Sequence, residues 1–222
     1  MMNRKGDWSS SRRPSKEIPI GRNVLFLYCG QKTEKNYFEH YLQLIGENWK
    51  KIASQVTRFS WKGQVLSFDP ASMAKKAERI LNKEERFSDV FVVFDRDDFP
   101  NDNFDNTVTK LLHLSDDDKK VWPLWSNECI ELWFLLHFEY YNVNSERKQY
   151  FHKLGKYLGG HYKKNDENIA QNILGAGGRL KDAMKFAKKL HDCYDEGTPY
   201  SKRCPDTAVD DFFKEFQDYL DA

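Results

Sequence analysis

Short apolar segments alternate with amphipathic segments over the first 140 residues of the chain. Residues 24–28 and 90–94 are continuous apolar runs, rich in β-branched and aromatic side chains. Runs of this length are too short for helices and predict strands that are buried on both faces. The same pattern predicts a weak strand at 55–61 and a strand at 120–125. It also predicts four helices: one that begins at Thr33, one that begins at Pro70, and two that span 104–114 and 132–138. Strands that alternate with helices predict an α/β fold with a mostly parallel sheet flanked by helices.

The pattern changes after residue 140, and residues 141–222 contain no convincing strand. Apolar spacing there predicts helices at about 145–158, 165–174, 178–194 and 206–220. Residues 1–22 carry six basic and two acidic side chains and predict a flexible basic tail, with phosphate contact as the alternative. We therefore expect this tail, an α/β domain over 23–140 and a helical C-terminal subdomain over 141–222.

Composition narrows the class of protein. Hydrophobic residues make up 40% of the 222-residue chain and charged residues 31%, which is typical of a soluble globular protein. Neither a bilayer-spanning apolar run nor a signal-peptide pattern is present, so we expect a cytoplasmic protein without membrane contact. The four cysteines are scattered and predict free thiols. A net charge of only +1 means that any nucleic-acid footprint must be local.

An acidic pair follows the second buried run. Asp95 and Asp97 come directly after residues 90–94, and open α/β sheets place their sites at the carboxyl ends of strands. Side chains two apart on an extended backbone share one side, so both carboxylates could reach one cation. A solvated acidic turn is the alternative, because Asp is common in turns.

Two further stretches follow predicted strands. Gly30 allows a tight turn after 24–28, and Lys32 beside a helix N-terminus could hold a phosphate, although the glycine spacing of a P-loop is missing. Glu131 begins an apolar helix, where it either complements the helix dipole or shares a metal with Asp95. His137, on the same helix, is predicted to be a hydrogen-bonded core residue.

A basic and aromatic cluster marks the C-terminal part of the chain. Lys153, Lys156, Lys163 and Lys164 are interleaved with tyrosine and phenylalanine. This composition suits a nucleic-acid backbone. A snorkelling amphipathic surface is the competing interpretation.

Three motifs, taken together and in order, resemble the RloB family. They are Tyr28-Cys-Gly-Gln-Lys-Thr-Glu-Lys-Asn-Tyr-Phe38, Val93-Phe-Asp-Arg-Asp-Asp-Phe99 and Ser126-Asn-Glu-Cys-Ile-Glu-Leu-Trp-Phe-Leu-Leu-His-Phe138. Members of this family resemble Toprim-fold proteins and are found in bacterial anti-phage defence loci. The resemblance therefore implies a Toprim-like, that is Rossmann-like, α/β fold and a metal-dependent core that cleaves phosphodiester bonds.

The resemblance also assigns roles to individual residues. It implies that Asp95, Asp97 and Glu131 bind Mg²⁺ or Mn²⁺, and that Glu34 in the Lys-Thr-Glu motif belongs to the catalytic group together with Lys32. Cys29 stands where a Toprim core has glutamate. A thiolate is a poor ligand for Mg²⁺, so the sequence departs from the family pattern at this position.

The expected function is a metal-dependent nuclease effector of an anti-phage defence system. The expected partners are nucleic acid, either DNA or RNA including tRNA, and an AAA or ABC-type ATPase implied by the family; a homodimer is left open. One alternative is a catalytically weakened binding or signalling subunit of an ATPase complex. Another is a structural or toxin-type partner held by the ATPase.

Overall fold

A computed structural model describes residues 21–30, 32–52, 58–66, 69–83 and 87–221. All but the last two residues of the predicted basic tail at 1–22 lie outside these ranges. The elements follow one another in this order: β1 (Arg22–Tyr28), α1 (Thr33–Ile52), β2 (Phe59–Val65), α2 (Pro70–Leu81), β3 (Asp89–Asp95), α3 (Asn101–Leu112), β4 (Lys120–Asn127), α4 (Glu131–Leu136), α5 (Arg147–Tyr157), α6 (Ile169–Gly175), α7 (Leu180–His191), a 3-10 turn (Tyr200–Lys202), β5 (Asp206–Thr207), α8 (Asp210–Glu215) and α9 (Gln217–Leu220).

The strands form one five-stranded sheet in the order β2-β1-β3-β4-β5. The first four strands pair in parallel, and β5 pairs antiparallel with β4. Tyr28 aligns with Val93, and Asp95 aligns with Ser126. The carboxyl ends of β1, β3 and β4 therefore meet at one edge of the sheet. The predicted α/β class with a mostly parallel sheet flanked by helices is confirmed.

Hydrophobic side chains pack on both faces of the central strands, as the continuous apolar runs predict. On one face Phe26 and Phe91 stack with their ring centroids 4.9 Å apart. On the other face Val92 and Phe94 pack in a cluster that includes Phe104 of α3. Full burial of such side chains contributes roughly 1.5–3 kcal/mol each, which holds β1 and β3 rigidly in the centre of the sheet.

The prediction that residues 141–222 contain no strand is wrong. β5 pairs with the edge of β4 through Ser126 and Thr207. The predicted helix 206–220 is correspondingly shorter and is divided into α8 and α9. A two-residue strand has no periodicity that a sequence pattern could show, because its existence depends on the free edge that β4 offers.

The C-terminal part of the chain also packs directly on the sheet. Phe212 of α8 makes edge-to-face contacts with Phe26 and Phe91, with centroids 5.3 Å apart in each case. The division of the chain at residue 140 stays a prediction, and this packing joins α8 to the same hydrophobic core as β1 and β3.

Smaller corrections concern the ends of elements. β2 spans Phe59–Val65 rather than 55–61, and residues 55–57 of that prediction lie outside the described part of the chain. The weak alternation of apolar and polar residues in this segment did not define the bounds or register of the strand. Parallel pairing with β1 fixes both. The predicted helix start at Pro70 is confirmed, and Asp69 Oδ2 accepts the Ser72 N–H at 3.1 Å as an N-cap does.

A buried polar network fastens α7 to β5 and α8. His191 Nδ1 lies 2.8 Å from Asp206 Oδ1, and His191 Nε2 lies 3.1 Å from Asp210 Oδ1. Both aspartates are fully buried. Burial by itself lowers the pKa of His191, but the hydrogen bonds to Asp206 and Asp210 outweigh that effect and raise the pKa to about 10. The imidazolium is therefore the form that the fold stabilises.

We expect this network to make the free energy of unfolding decrease as the pH becomes alkaline. Below about pH 6.5, the ordinary pKa of histidine, His191 is protonated in both the folded and the unfolded chain, so its contribution is fully present. As pH rises toward 10 the unfolded chain loses this proton first, and the contribution falls by on the order of a few kcal/mol. Urea unfolding of the parent and His191→Asn from pH 6 to 10 measures the difference. Exposed His113→Asn is the control, and equal pH slopes in parent and His191→Asn would contradict the prediction.

Candidate functional site

A cavity of about 470 Å³ opens at the carboxyl ends of β1 and β3. Three separate stretches of the chain line this acidic crevice: Cys29, Gly30, Thr33 and Glu34 after β1; Asp95, Asp97 and Phe99 after β3; and Arg147, Lys164 and Asn165 from the C-terminal part. The parallel sheet brings the first two stretches together, because adjacent parallel strands end at the same edge. The crevice therefore lies where the sequence predicted a site.

The Cys29 side chain lies on the inner wall of the crevice. Its backbone N–H donates to Val93 O at 2.9 Å, which extends the pairing of β1 with β3 by one residue. The side chain faces the same crevice as Asp95. Burial and then the charge of Asp95 raise the pKa of Cys29 to about 12. Cys29 is therefore a neutral thiol at neutral pH, where a carboxylate would have added a further negative charge.

Gly30 leaves room for the Glu34 carboxyl group. Glu34 lies in the first turn of α1, and a Cβ atom added at Gly30 would be 2.1 Å from Glu34 Oε2. The missing side chain thus lets the carboxyl group fold back against the turn. Glycine at this position permits the close approach of the carboxylate, and a larger residue would make the Glu34 side chain move.

Burial and like charge disfavour ionisation of the crevice carboxyls. Burial first, and then Glu34 and Glu131, raise the pKa of Asp95 well above its usual range. Burial and the charge of Glu131 raise the pKa of Glu34 as well. Asp95 Oδ1 is buried without a hydrogen-bond partner among the described residues. Such an oxygen is costly unless a cation or donor reaches it.

Glu131 lies close to these carboxyls but is not among the residues that line the crevice. Only 2% of the residue is exposed, and its Oε1 accepts a hydrogen bond from the Tyr162 hydroxyl at 3.0 Å. Tyr162 follows α5 in the chain. Glu131 is thus satisfied in part by a residue from the C-terminal region, a contact for which its position at the start of α4 gave no signal.

Asp97 forms an ion pair with Arg147, the first residue of α5. Arg147 Nη2 also lies 4.0 Å from Asp95 Oδ2. As the spacing predicts, Asp95 and Asp97 line the same cavity, although Asp97 has a φ of 47° and has left the extended conformation on which that prediction rested. The guanidinium of Arg147 is therefore the cation nearest to the acidic pair in the described part of the chain.

The predicted lysine cluster is divided between different surroundings. Lys164 lines the acidic crevice, whereas Lys163 lines a separate cavity of about 440 Å³. Lys153 pairs with Glu139 at 2.6 Å, and Lys156 is exposed on α5. Nucleic-acid binding by the four lysines stays a prediction, and Lys164 is the member of the cluster that faces the acidic pair.

A loop tied to α1 holds Lys164 over the crevice. The Asn165 N–H donates to Thr33 Oγ1 at 3.2 Å. Asn36 Nδ2 donates to the backbone oxygen of Asp166 at 3.1 Å. Lys32 directly precedes Thr33 in the chain. It is exposed and is not among the residues that line the crevice. If Lys32 binds a phosphate as predicted, that phosphate would lie at the solvent-exposed opening of the crevice, which we call its mouth.

The donor atoms of the crevice are of the kind that binds a divalent cation. Their present arrangement among the described residues, however, does not form a metal site. Glu34, Asp95 and Asp97 offer the carboxylate oxygens that Mg²⁺ and Mn²⁺ prefer, and the unpartnered Asp95 Oδ1 is an open position. Within the described ranges, however, no group of three or more His, Cys, Asp or Glu side chains is arranged so that it could hold a metal ion. One of the three carboxylates, Asp97, is engaged by Arg147.

Two residues of the site, Arg147 and Tyr162, are not indicated by any pattern in the sequence. Neither belongs to a motif, and each is separated from its acidic partner by about thirty residues or more. The only available signal was physical, because buried carboxylates require compensating donors from somewhere in the chain. By contrast, the prediction for His137 is confirmed. It is buried, Nδ1 lies 3.0 Å from Trp133 O and Nε2 lies 3.0 Å from the Tyr37 hydroxyl.

Comparison with known proteins places the chain in a family. In the described part of the chain, no helix combines the length and the apolar character needed to cross a membrane. Comparisons with curated proteins and with solved structures gave no match. The model of the family described as RloB-like protein matches residues 25–216, a range that includes β1, the acidic crevice, β5 and α8. The chain therefore belongs to the RloB-like protein family, as its three motifs predicted.

Proposed function

We propose that this protein is a Toprim-like, metal-dependent nuclease that cleaves phosphodiester bonds as an effector of bacterial anti-phage defence. The observation that carries the proposal is the composition of the acidic crevice. Three carboxyl groups face two cationic side chains, Arg147 and Lys164, in one cavity at the carboxyl ends of parallel strands. Carboxylates suit a divalent ion, and cationic side chains suit a phosphate group.

The chain's own residues would divide the chemical work between them. Lys164, and Lys32 at the mouth, would bind the phosphate by charge. Glu34, whose pKa is raised by burial and by Glu131, would keep a proton that it can give to the leaving oxygen. Asp95 and Asp97 would hold Mg²⁺ or Mn²⁺ from the crevice, and Glu131, which the resemblance implies as a further ligand, would have to reach the ion from behind the crevice wall. The bound ion would supply an activated water and would neutralise charge on the phosphate.

The substrate class and partners follow from the family resemblance rather than from this crevice. We propose nucleic acid as the substrate, with DNA, RNA and tRNA all compatible with a site that reads only phosphate. An AAA or ABC-type ATPase would control the effector, and a homodimer is compatible with the fold. Purified protein incubated with Mg²⁺ or Mn²⁺ and single-stranded DNA, double-stranded DNA, total RNA or tRNA tests the activity directly.

A second candidate is a catalytically weakened subunit that binds nucleic acid and signals to an ATPase partner. Two observations favour it. Asp97 is paired with Arg147, and the thiol of Cys29 occupies the wall of the crevice where the resemblance implies a carboxylate. The two candidates differ in one measurable respect, because the binding subunit would retain affinity for nucleic acid without any metal-stimulated cleavage.

The first test of the nuclease removes one charge at a time. We expect Asp95→Asn and Asp97→Asn to reduce metal-dependent cleavage by about 100-fold or more, since each removes an oxygen ligand of the ion. Asp98→Asn is the matched control, because Asp98 is the neighbouring exposed carboxylate. Cleavage of labelled oligonucleotides measures the rates. Parent-like rates in both variants would exclude this assignment of the acidic pair.

The same acidic pair leads to a prediction about stability. Asp95 has a raised pKa in the folded chain, so its ionisation opposes folding as pH rises through that pKa, and the penalty is absent below about pH 3.9, its unfolded pKa. Asp95→Asn should therefore raise the free energy of unfolding by roughly 1 kcal/mol at pH 7 in the presence of EDTA. The gain should shrink toward acid pH. Thermal unfolding at pH 7 and pH 4, with exposed Asp118→Asn as the control, checks this; destabilisation at pH 7 would contradict it.

Lys164 allows a test of phosphate contact that does not depend on cleavage. We expect Lys164→Ala to weaken nucleic-acid binding and to reduce the dependence of log K on log salt by about one unit, as loss of one phosphate contact does. Lys188→Ala removes an exposed lysine on α7 and should leave both quantities unchanged. Fluorescence anisotropy with a labelled oligonucleotide at several salt concentrations provides the measurement. Equal salt slopes for parent and Lys164→Ala would show that Lys164 makes no contact with the phosphate.

A further inference from the structure

The guanidinium of Arg147 lies where the acidic pair would otherwise be free to bind a cation. Arg147 forms an ion pair with Asp97, and its Nη2 lies 4.0 Å from Asp95 Oδ2. The side chain is 33% exposed, so it is anchored at the wall of the crevice and not sealed in the core. It lines both the acidic crevice and a neighbouring open cavity of about 400 Å³. The guanidinium therefore has space beside the crevice into which it could move.

Acidic side chains outnumber cationic side chains in the crevice even with Arg147 in place. Three carboxyl groups and two cationic side chains line it, and Asp95 Oδ1 is buried without a hydrogen-bond partner among the described residues. Lys164 approaches from the opposite loop, which is tied to α1 through Asn165 and Thr33. Asp97 is thus in direct contact with a cation, and that cation, Arg147, is part of the protein.

A guanidinium and a divalent ion compete for the same oxygens. At a separation of a few ångströms two positive charges repel strongly in a partly buried site, and each carboxylate oxygen has a limited number of lone pairs. In the described ranges no group of three or more His, Cys, Asp or Glu side chains is arranged to hold a metal ion, and Arg147 engages Asp97 in that same arrangement.

We propose that Arg147 is a built-in competitor for the metal, and that a divalent ion binds to Asp95 and Asp97 only when the guanidinium leaves Asp97. The proposal rests on the proposed function, which assigns the metal to this acidic pair. The ion pair is then an autoinhibitory contact between the C-terminal region and the strand end.

Removal of the competing charge should make the metal bind more tightly. We expect Arg147→Gln to bind Mn²⁺ about tenfold more tightly than the parent, measured by electron paramagnetic resonance of free Mn²⁺ during titration of the full chain. Lys148→Gln is the matched control, since it removes the same charge from the adjacent exposed residue, and it should change the affinity by less than about twofold. Adding Asp97→Asn to Arg147→Gln should abolish the gain.

The outcomes separate this proposal from the nuclease itself. An affinity for Mn²⁺ that is unchanged or weaker in Arg147→Gln overturns the competition, whatever the cleavage assay shows. Tighter Mn²⁺ binding without cleavage by any variant keeps the competition and rejects the nuclease.

Circular dichroism establishes that the variant is folded. If Arg147→Gln does not fold, Arg147→Lys decides the question, because its shorter side chain should make a weaker contact with Asp97 and give a smaller gain in Mn²⁺ affinity.

Discussion

The repulsion between buried carboxyl groups at one edge of a parallel sheet is the constraint on which the rest of the site depends. β1, β3 and β4 end together, and this brings Glu34, Asp95 and Glu131 into mutual electrostatic contact. Uncompensated charges in such a place are costly. The chain supplies the compensation from a distant segment, through Arg147 and Lys164. The acidic crevice is therefore a joint product of the sheet and the C-terminal region.

This dependence gives the C-terminal region a structural role as well as a chemical one. β5 extends the sheet beyond β4, and Phe212 packs on the same aromatic side chains that fill the centre of the sheet. His191 links α7 to two buried aspartates beside that strand. Tyr150 of α5 and Tyr162 belong to the same hydrophobic core as Phe212. The segments that carry Arg147 and Lys164 therefore pack on that core as well.

Cys29 can be understood through the same balance of charge. The position is buried beside Asp95, and a neutral thiol there adds no further repulsion. A carboxylate at this position would add a negative charge and would need an additional cation. The thiol and the Arg147–Asp97 pair thus act in the same direction, since both reduce the demand of the crevice for a bound ion.

The amino-acid pattern determined by itself the central strands, most of the helices, and the meeting of Cys29 with Asp95. These features follow from local periodicity and from the rule that neighbouring parallel strands end at one edge. Only the tertiary structure decided the strand β5, the hydrogen bond from Tyr162 to Glu131, and the pairing of Arg147 with Asp97. Each of these is a contact between residues far apart in the chain, and no periodicity records it. Short sequence motifs identify the carboxylates of the site. Which cations and donors compensate them depends on the distant side chains that the packed fold brings close to them.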